Sequence, residues 1–151
     1  MKSDYLYFRQ LKEGEESMVS DVAYNKAQII ERCLKRIAEE YGADPASLHN
    51  YTKQDSIILN IQRACEAAID LAMHLVAENG LGLPQTSRDA FQLLSDNQLL
   101  DSALSSRLQA MVGFRNIAIH DYQAVNLQIV QAIIEKHLGD LQDFAAGVFS
   151  E

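Results

Sequence analysis

Four side chains with useful chemistry lie within the eight residues from Arg115 to Tyr122. Arg115 supplies a permanent cation, Asn116 an amide, His120 an imidazole that titrates near neutral pH and Tyr122 a phenol. A guanidinium can hold a phosphate and the charge that develops on it, while an imidazole can move a proton during the reaction. This combination indicates metal-free chemistry on a phosphodiester, as in a ribonuclease. If the residues do not act together, the chain is a small helical bundle of another purpose.

The spacing of Arg115 and His120 is a weak pattern alone, because a histidine five residues after an arginine arises easily by chance. Taken singly, His120 is typical of a surface or capping position, Arg115 of an ion pair and Tyr122 of a packing residue. The local charge adds support. From Ser102 to His120 there is no Asp or Glu, although the chain has 21 of them, and such a stretch favours an anion site.

Helix geometry indicates how the motif must be assembled. On an ideal helix Arg115 and His120 are about 140° apart, whereas Arg115 and Tyr122 are about 20° apart. Asn116 and His120 align as an i, i+4 pair. One straight helix therefore cannot direct both catalytic groups at one phosphate, unless it breaks near His120 or a second copy supplies the other half. We expect a homodimer with the motif at its interface.

The composition limits the class of protein. A length of 151 residues predicts one domain, and 48% hydrophobic residues suffice for a core. The net charge of −8 argues against non-specific wrapping of nucleic acid, but it permits a small local phosphate site and suits a protein partner. No segment has the length of a signal peptide or a membrane span, so we expect a cytoplasmic protein.

The sequence predicts neither a metal site nor a cofactor. Cys33 and Cys65 lie on apolar helical stripes without a CxxC pair, which predicts buried thiols rather than zinc ligands. Glu66, Asp70 and His74 form an i, i+4, i+8 ladder, but a di-iron bundle needs paired Glu-x-x-His motifs that are missing here. A solvated helix face is the expected role of the ladder.

The helical period predicts an all-α domain, an up-and-down bundle of four longer helices and one short helix, over residues 21–151. It follows an N-terminal extension, residues 1–20, that is either a flexible arm or a docking segment. Gly42 and Asn79 are expected to end the first two helices. The expected N-caps of the second to fifth helices are, in order, Asp55, Thr86, Asp101 and Asn126.

From about residue 22 to 147 the chain resembles the HepT toxins of the HEPN superfamily. Besides the motif itself, the resemblance is carried in order by residues 33–37, 59–64, 70–75, 80–84, 88–91, 111–116 and 138–141. It departs from the family in the 20 or so residues before the first long helix, which either contact a partner or extend that helix.

The resemblance implies a HEPN-type bundle whose dimer sets two Arg-x4-6-His motifs across a shared cleft, as in metal-independent RNases. It implies Arg115 and His120 as the catalytic pair and Asn116 as the supporting polar residue, which either orients His120 or contacts the phosphate. It also implies the toxin of a type VII-like toxin–antitoxin system acting on tRNA or mRNA. The antitoxin would be a nucleotidyltransferase of the MNT type that transfers AMP to Tyr122, alone or in a larger hetero-oligomer.

The mechanism expected from the resemblance starts when His120 takes the proton of the ribose 2′-OH. The alkoxide attacks the adjacent phosphorus, and Arg115 stabilises the equatorial oxygens. DNA lacks the 2′-OH and is not expected to be cut. AMP on Tyr122 would place an anion beside Arg115 and fill the cleft. The alternative is a catalytically inactive HEPN module that binds a nucleotide or a protein partner.

Overall fold

Helices form all the regular structure in this computed structural model, which describes the backbone of residues 17–149 and the side chains of residues 21–147. They are α1 (Ser17–Tyr41), α2 (Tyr51–Glu78), α3 (Ser87–Asp96), α4 (Ser102–His120), α5 (Leu127–Ala132) and α6 (Leu138–Phe149). Short 3₁₀ turns occupy Pro45–His49 and Tyr122–Ala124, and a π-helical segment, Ile133–His137, joins α5 to α6 without a break. The predicted all-α bundle of four longer helices and one short helix is confirmed, with α3 as the short one.

The first helix begins within the predicted N-terminal extension. Because α1 starts at Ser17, residues 17–20 belong to the first helix. The role predicted for residues 1–16, as an arm or a docking segment, lies outside the described residues.

One apolar core joins the helices. Its fully buried side chains come from every layer of the bundle and include Ile30, Ile37, Ile57, Ile61, Phe91, Leu108, Val130 and Leu141. Phe91 of α3 packs edge-on against Phe144 of α6, with ring centroids 5.7 Å apart. Both cysteines are buried and free, as predicted. No helix among the described residues combines the length and the apolarity that crossing a bilayer requires.

Local hydrogen bonds explain where most helices begin and end. Thr86 Oγ1 accepts from the Asp89 amide at 3.2 Å, Asp101 Oδ2 from the Leu104 amide at 3.1 Å, and Asn126 Oδ1 from the Gln128 amide at 2.8 Å. These three predicted N-caps are confirmed. The predicted ends are confirmed too, since α1 stops before Gly42, at φ +58°, and α2 stops before Asn79.

The predicted N-cap of α2 was wrong. Asn50, not Asp55, caps this helix, and its Oδ1 accepts from the Lys53 amide at 3.0 Å. The reason is the Pro45–His49 turn, which was not predicted and which delivers the chain to Asn50 in an extended conformation one turn earlier. Asp55 therefore lies inside α2, where its carboxylate is free for a tertiary contact.

Two polar side chains of the π-helical segment make tertiary or local contacts. Glu135 accepts a hydrogen bond from the Tyr41 hydroxyl of α1. His137 Nδ1 lies 3.2 Å from Asp140 Oδ2, and the other oxygen of Asp140 accepts from Arg107 Nε at 2.9 Å. The segment thus contacts α1 through Glu135, while Asp140 of α6 contacts α4 through Arg107.

Candidate active site at the end of the fourth helix

The guanidinium of Arg115 is held between two other helices. Its Nη2 donates to Ser87 Oγ of α3 at 3.3 Å, and its Nη1 lies 3.9 Å from Glu66 Oε2 of α2. The side chain is only 18% exposed, and Nε is buried without a hydrogen-bond partner among the described residues. These contacts hold the guanidinium in place. Because an arginine carries five N–H groups, it still has donors to offer to an anion.

His120 is the last residue of α4, and its side chain is exposed. The helix ends here, because Asp121 is its C-cap and a 3₁₀ turn follows. A break near His120 was one of the two alternatives that the sequence left open. Within the described part of the chain the imidazole has no hydrogen-bond partner, and Asn116, one turn earlier, does not contact it through a hydrogen bond. The ring is therefore open to a substrate or a second chain, and the orienting role expected of Asn116 stays a prediction.

The phenol of Tyr122 is anchored to α2. Its O–H donates to Asp55 Oδ1, and the side chain is 40% exposed. Partial burial, followed by the hydrogen bond to Asp55 and the negative charge of that carboxylate, raises the pKa of Tyr122 to about 12. The phenol is thus protonated at neutral pH, with its proton directed at a base.

Arg115 and Tyr122 are held by two separate stretches of α2. Their partners, Glu66 and Asp55, are 11 residues apart on one face of that helix, which corresponds to about 16 Å along its axis. The alignment expected of Arg115 and Tyr122 on one continuous helix was wrong, because α4 ends before Tyr122. Within one chain the structure therefore brings neither Tyr122 nor His120 into hydrogen-bond contact with Arg115.

Three partners of the motif were missed by sequence reasoning: Ser87, Glu66 and Asp55. They approach the motif from helices 28 to 67 residues away along the chain. No local spacing signals such contacts. Only the helix start at Thr86, which places Ser87 on the first turn of α3, could have drawn attention to one of them.

Two large apolar side chains on the last turn of α4, next to His120 in the sequence, are exposed. Ile117 is 45% exposed and Ile119 is 41% exposed. Large apolar side chains that are exposed together beside polar groups are typical of a surface that another chain covers.

The raised pKa of Tyr122 gives a prediction for alkaline pH. A folded-state pKa of about 12, above the ordinary value of 10, means that the Tyr122 contact contributes fully below pH 10 and is lost as the pH rises towards 12. Asp55→Asn removes the negative charge, so we expect the pKa of Tyr122 to fall part of the way back to 10. The measurement is tyrosinate absorbance against pH, taken as the difference between each protein and its Tyr122→Phe counterpart. Superimposable curves for the wild type and the Asp55→Asn variant would contradict this.

Comparison with known proteins gives consistent matches over most of the chain. The family model described as "Ribonuclease HepT-like" matches residues 20–148. The chain is 48% identical to the mRNA nuclease HepT of Shewanella oneidensis over 126 residues. The matched region covers 83% of this chain and 95% of that protein.

Solved structures of toxin–antitoxin complexes are similar as well. A tri-AMPylated HEPN toxin of Shewanella oneidensis, in complex with an MNT antitoxin, matches with a TM-score of 0.81 and 48% identity, over 87% of this chain and 98% of that one. A toxin–antitoxin crystal structure with AMP-PNP matches with a TM-score of 0.82 and 46% identity, over 87% and 99% of the two chains.

Proposed function

This chain belongs to the HepT-like ribonuclease family, and we propose that it is an RNA-cleaving toxin that an MNT-type antitoxin neutralises. The observation that carries the proposal is the placement of Arg115, fixed between α2 and α3, five residues before an exposed imidazole where α4 ends. The similarity to an mRNA nuclease and to toxins in complex with their antitoxins supports the same function.

The proposed reaction is an internal transfer that needs no metal. His120 takes the proton from a ribose 2′-OH, and the new alkoxide attacks the neighbouring phosphorus. Arg115 donates to the equatorial oxygens as charge develops on them. The bond from phosphorus to the 5′-oxygen breaks, and that oxygen leaves with a proton for which His120 of a second copy is a candidate donor. The products are a 2′,3′-cyclic phosphate and a 5′-OH.

We propose a homodimer as the active unit. A single chain buries most of Arg115 while it exposes His120, and the two side chains leave α4 about 140° apart. A second copy packed against Ile117 and Ile119 would bring its own motif to the same cleft. Two guanidinium groups and two imidazoles would then face one phosphate, which answers the geometric difficulty of one helix.

Neutralisation is proposed to act on Tyr122. Its phenol oxygen attacks the α-phosphorus of ATP held by the antitoxin, pyrophosphate leaves, and Asp55 is placed to receive the phenolic proton. In a dimer the added AMP would bring negative charge to the shared cleft and compete with RNA for its cations. Asn116 remains the proposed supporting residue, the substrate is tRNA or mRNA, and the expected compartment is the cytoplasm.

The test is cleavage of a labelled RNA by the purified chain in EDTA, beside DNA of the same sequence. We expect the RNA to be cut with 2′,3′-cyclic phosphate ends and the DNA to stay intact, because only RNA carries the attacking hydroxyl. A requirement for Mg²⁺, or cleavage of the DNA, would overturn the mechanism. Nucleotide binding without any cleavage would favour the inactive HEPN module.

A further inference from the structure

The guanidinium of Arg88 lies across the surface of α4. Arg88 is on the first turn of α3, and its Nε donates to the backbone carbonyl of Gln109 at 3.2 Å. Its Nη2 would lie only 2.9 Å from a Cβ added to Gly113, closer than real Cβ contacts come. Glycine inside a helix costs about 1 kcal/mol relative to alanine, so Gly113 has a packing reason to be there: it leaves room for this guanidinium.

The position of Arg88 on α4 points towards the catalytic imidazole. Gln109, Gly113, Asn116 and His120 are separated by 4, 3 and 4 residues, which places them within about 60° of one another around the helix. Gly113 is about 10 Å from His120 along the axis. Arg88 therefore lies on the face of α4 that carries His120 and Asn116, two turns before the end of the helix.

The charge of Arg88 is not neutralised by a carboxylate. Among the described residues Arg36 pairs with Glu40, Arg107 with Asp140 and Arg115 with Glu66. Arg88 is exposed, and it makes no ion pair with any of the described residues. The helix beneath it has no acidic residue from 102 to 120. Arg88 donates one N–H to a carbonyl, and its other N–H groups can bind a phosphate.

The same turn of α3 also holds the catalytic arginine. Ser87 accepts from Arg115, and the next residue, Arg88, reaches over Gly113. The first turn of α3 thus contacts one guanidinium group through Ser87 and supplies a second one through Arg88. Two cations that meet the same turn from different faces of α4 suit an anion with more than one phosphate.

We propose that Arg88 binds a backbone phosphate of the RNA that flanks the cleaved one, and that Gly113 keeps its place open. The inference rests on the proposed ribonuclease function and adds a substrate-binding residue to it. Because a flanking phosphate is bound alike before and during the reaction, Arg88 contributes to affinity and not to the chemical step.

The test compares Arg88→Ala, Gly113→Ala and Arg36→Ala as a matched control that removes one exposed arginine from α1. Binding is followed by fluorescence anisotropy with a labelled 2′-O-methyl RNA, and cleavage with the unmodified RNA. We expect Arg88→Ala to weaken binding roughly 5- to 10-fold and to lower the slope of log K against log salt by about 0.7, one phosphate contact. KM should rise by the same factor while kcat stays within about twofold.

Gly113→Ala separates a binding role from a structural one. The added methyl displaces the end of the Arg88 side chain, leaves the net charge unchanged and favours the helix. We expect it to weaken binding like Arg88→Ala, without lowering Tm, and the double variant to be no weaker than Arg88→Ala alone. Arg36→Ala should bind like the wild type.

Three outcomes would overturn the inference. The first is that Arg88→Ala binds RNA with the same affinity and salt slope as Arg36→Ala. The second is that Arg88→Ala lowers kcat and leaves KM unchanged. The third is that Gly113→Ala binds RNA as tightly as the wild type. If the wild type still cleaves RNA in these cases, the proposed function stands and only the role of Arg88 fails. If the wild type neither binds nor cleaves RNA, the proposed function fails and the inference fails with it.

Discussion

His120→Ala is expected to lower the rate of RNA cleavage by about 10²- to 10⁴-fold, the usual contribution of a positioned general base. The imidazole is exposed and forms no hydrogen bond within the described part of the chain, so its removal should leave the fold and the Tm unchanged. The loss should appear in kcat, because binding depends on the cationic side chains. The measurement is single-turnover cleavage of a labelled RNA by the wild type and the variant.

The matched control for this prediction is His49→Ala, which removes an exposed imidazole from the Pro45–His49 turn. We expect it to cleave like the wild type. Mixing His120→Ala with Arg115→Ala subunits should restore part of the activity, because a shared cleft would then hold one intact arginine and one intact histidine. Full activity of His120→Ala would remove the imidazole from the mechanism, and a mixture without recovery would argue against the composite cleft.

Tyr122→Phe is expected to leave the toxin active and to make it resistant to its antitoxin. The substitution removes the one oxygen that would accept AMP and keeps the ring. It also frees Asp55 from a contact at the surface, where hydrogen bonds contribute little to stability. Incubation with the antitoxin and ATP, followed by mass spectrometry and an RNA cleavage assay, should show an adduct and loss of cleavage only in the wild type.

Tyr51→Phe is the control for the proposed modification of Tyr122. Tyr51 opens α2 and is 80% exposed, so it offers a more accessible hydroxyl than Tyr122. We expect the Tyr51→Phe protein to be modified and silenced like the wild type. Continued silencing of Tyr122→Phe would show that the antitoxin acts elsewhere, whether on another residue or by covering the cleft.

The helices were predictable because their signals are local. Thr86, Asp101 and Asn126 each bind an amide two or three residues ahead, so a short stretch of sequence contains both partners. Asp55 shows where this fails: it is a good capping residue by type, yet Asn50 lies at the end of a turn that periodicity does not reveal. The backbone before a residue, and not its type alone, decides whether it caps.

The candidate motif, Arg115, His120 and Tyr122, was chosen from residue types and from a resemblance, and its functional role stays a prediction. The environment of these residues could not be predicted from the sequence. The packing of α2 and α3 on α4 places Ser87 and Glu66 against the guanidinium of Arg115. The position of α2 also allows Asp55 to accept the hydrogen bond of the Tyr122 phenol. The packing angle of helices follows from many side chains together, so no single spacing encodes it.

The π-helical segment Ile133–His137 acts as a phase adjustment in the last helix. Its i→i+5 hydrogen bonds take up one residue more than a regular α-helix would. An uninterrupted α-helix of the same residues would leave the chain beyond the segment rotated by about 100° relative to its present orientation. That rotation decides which face of α6 meets the core, where Leu141 and Phe144 are buried, so the length of this segment matters more than its composition.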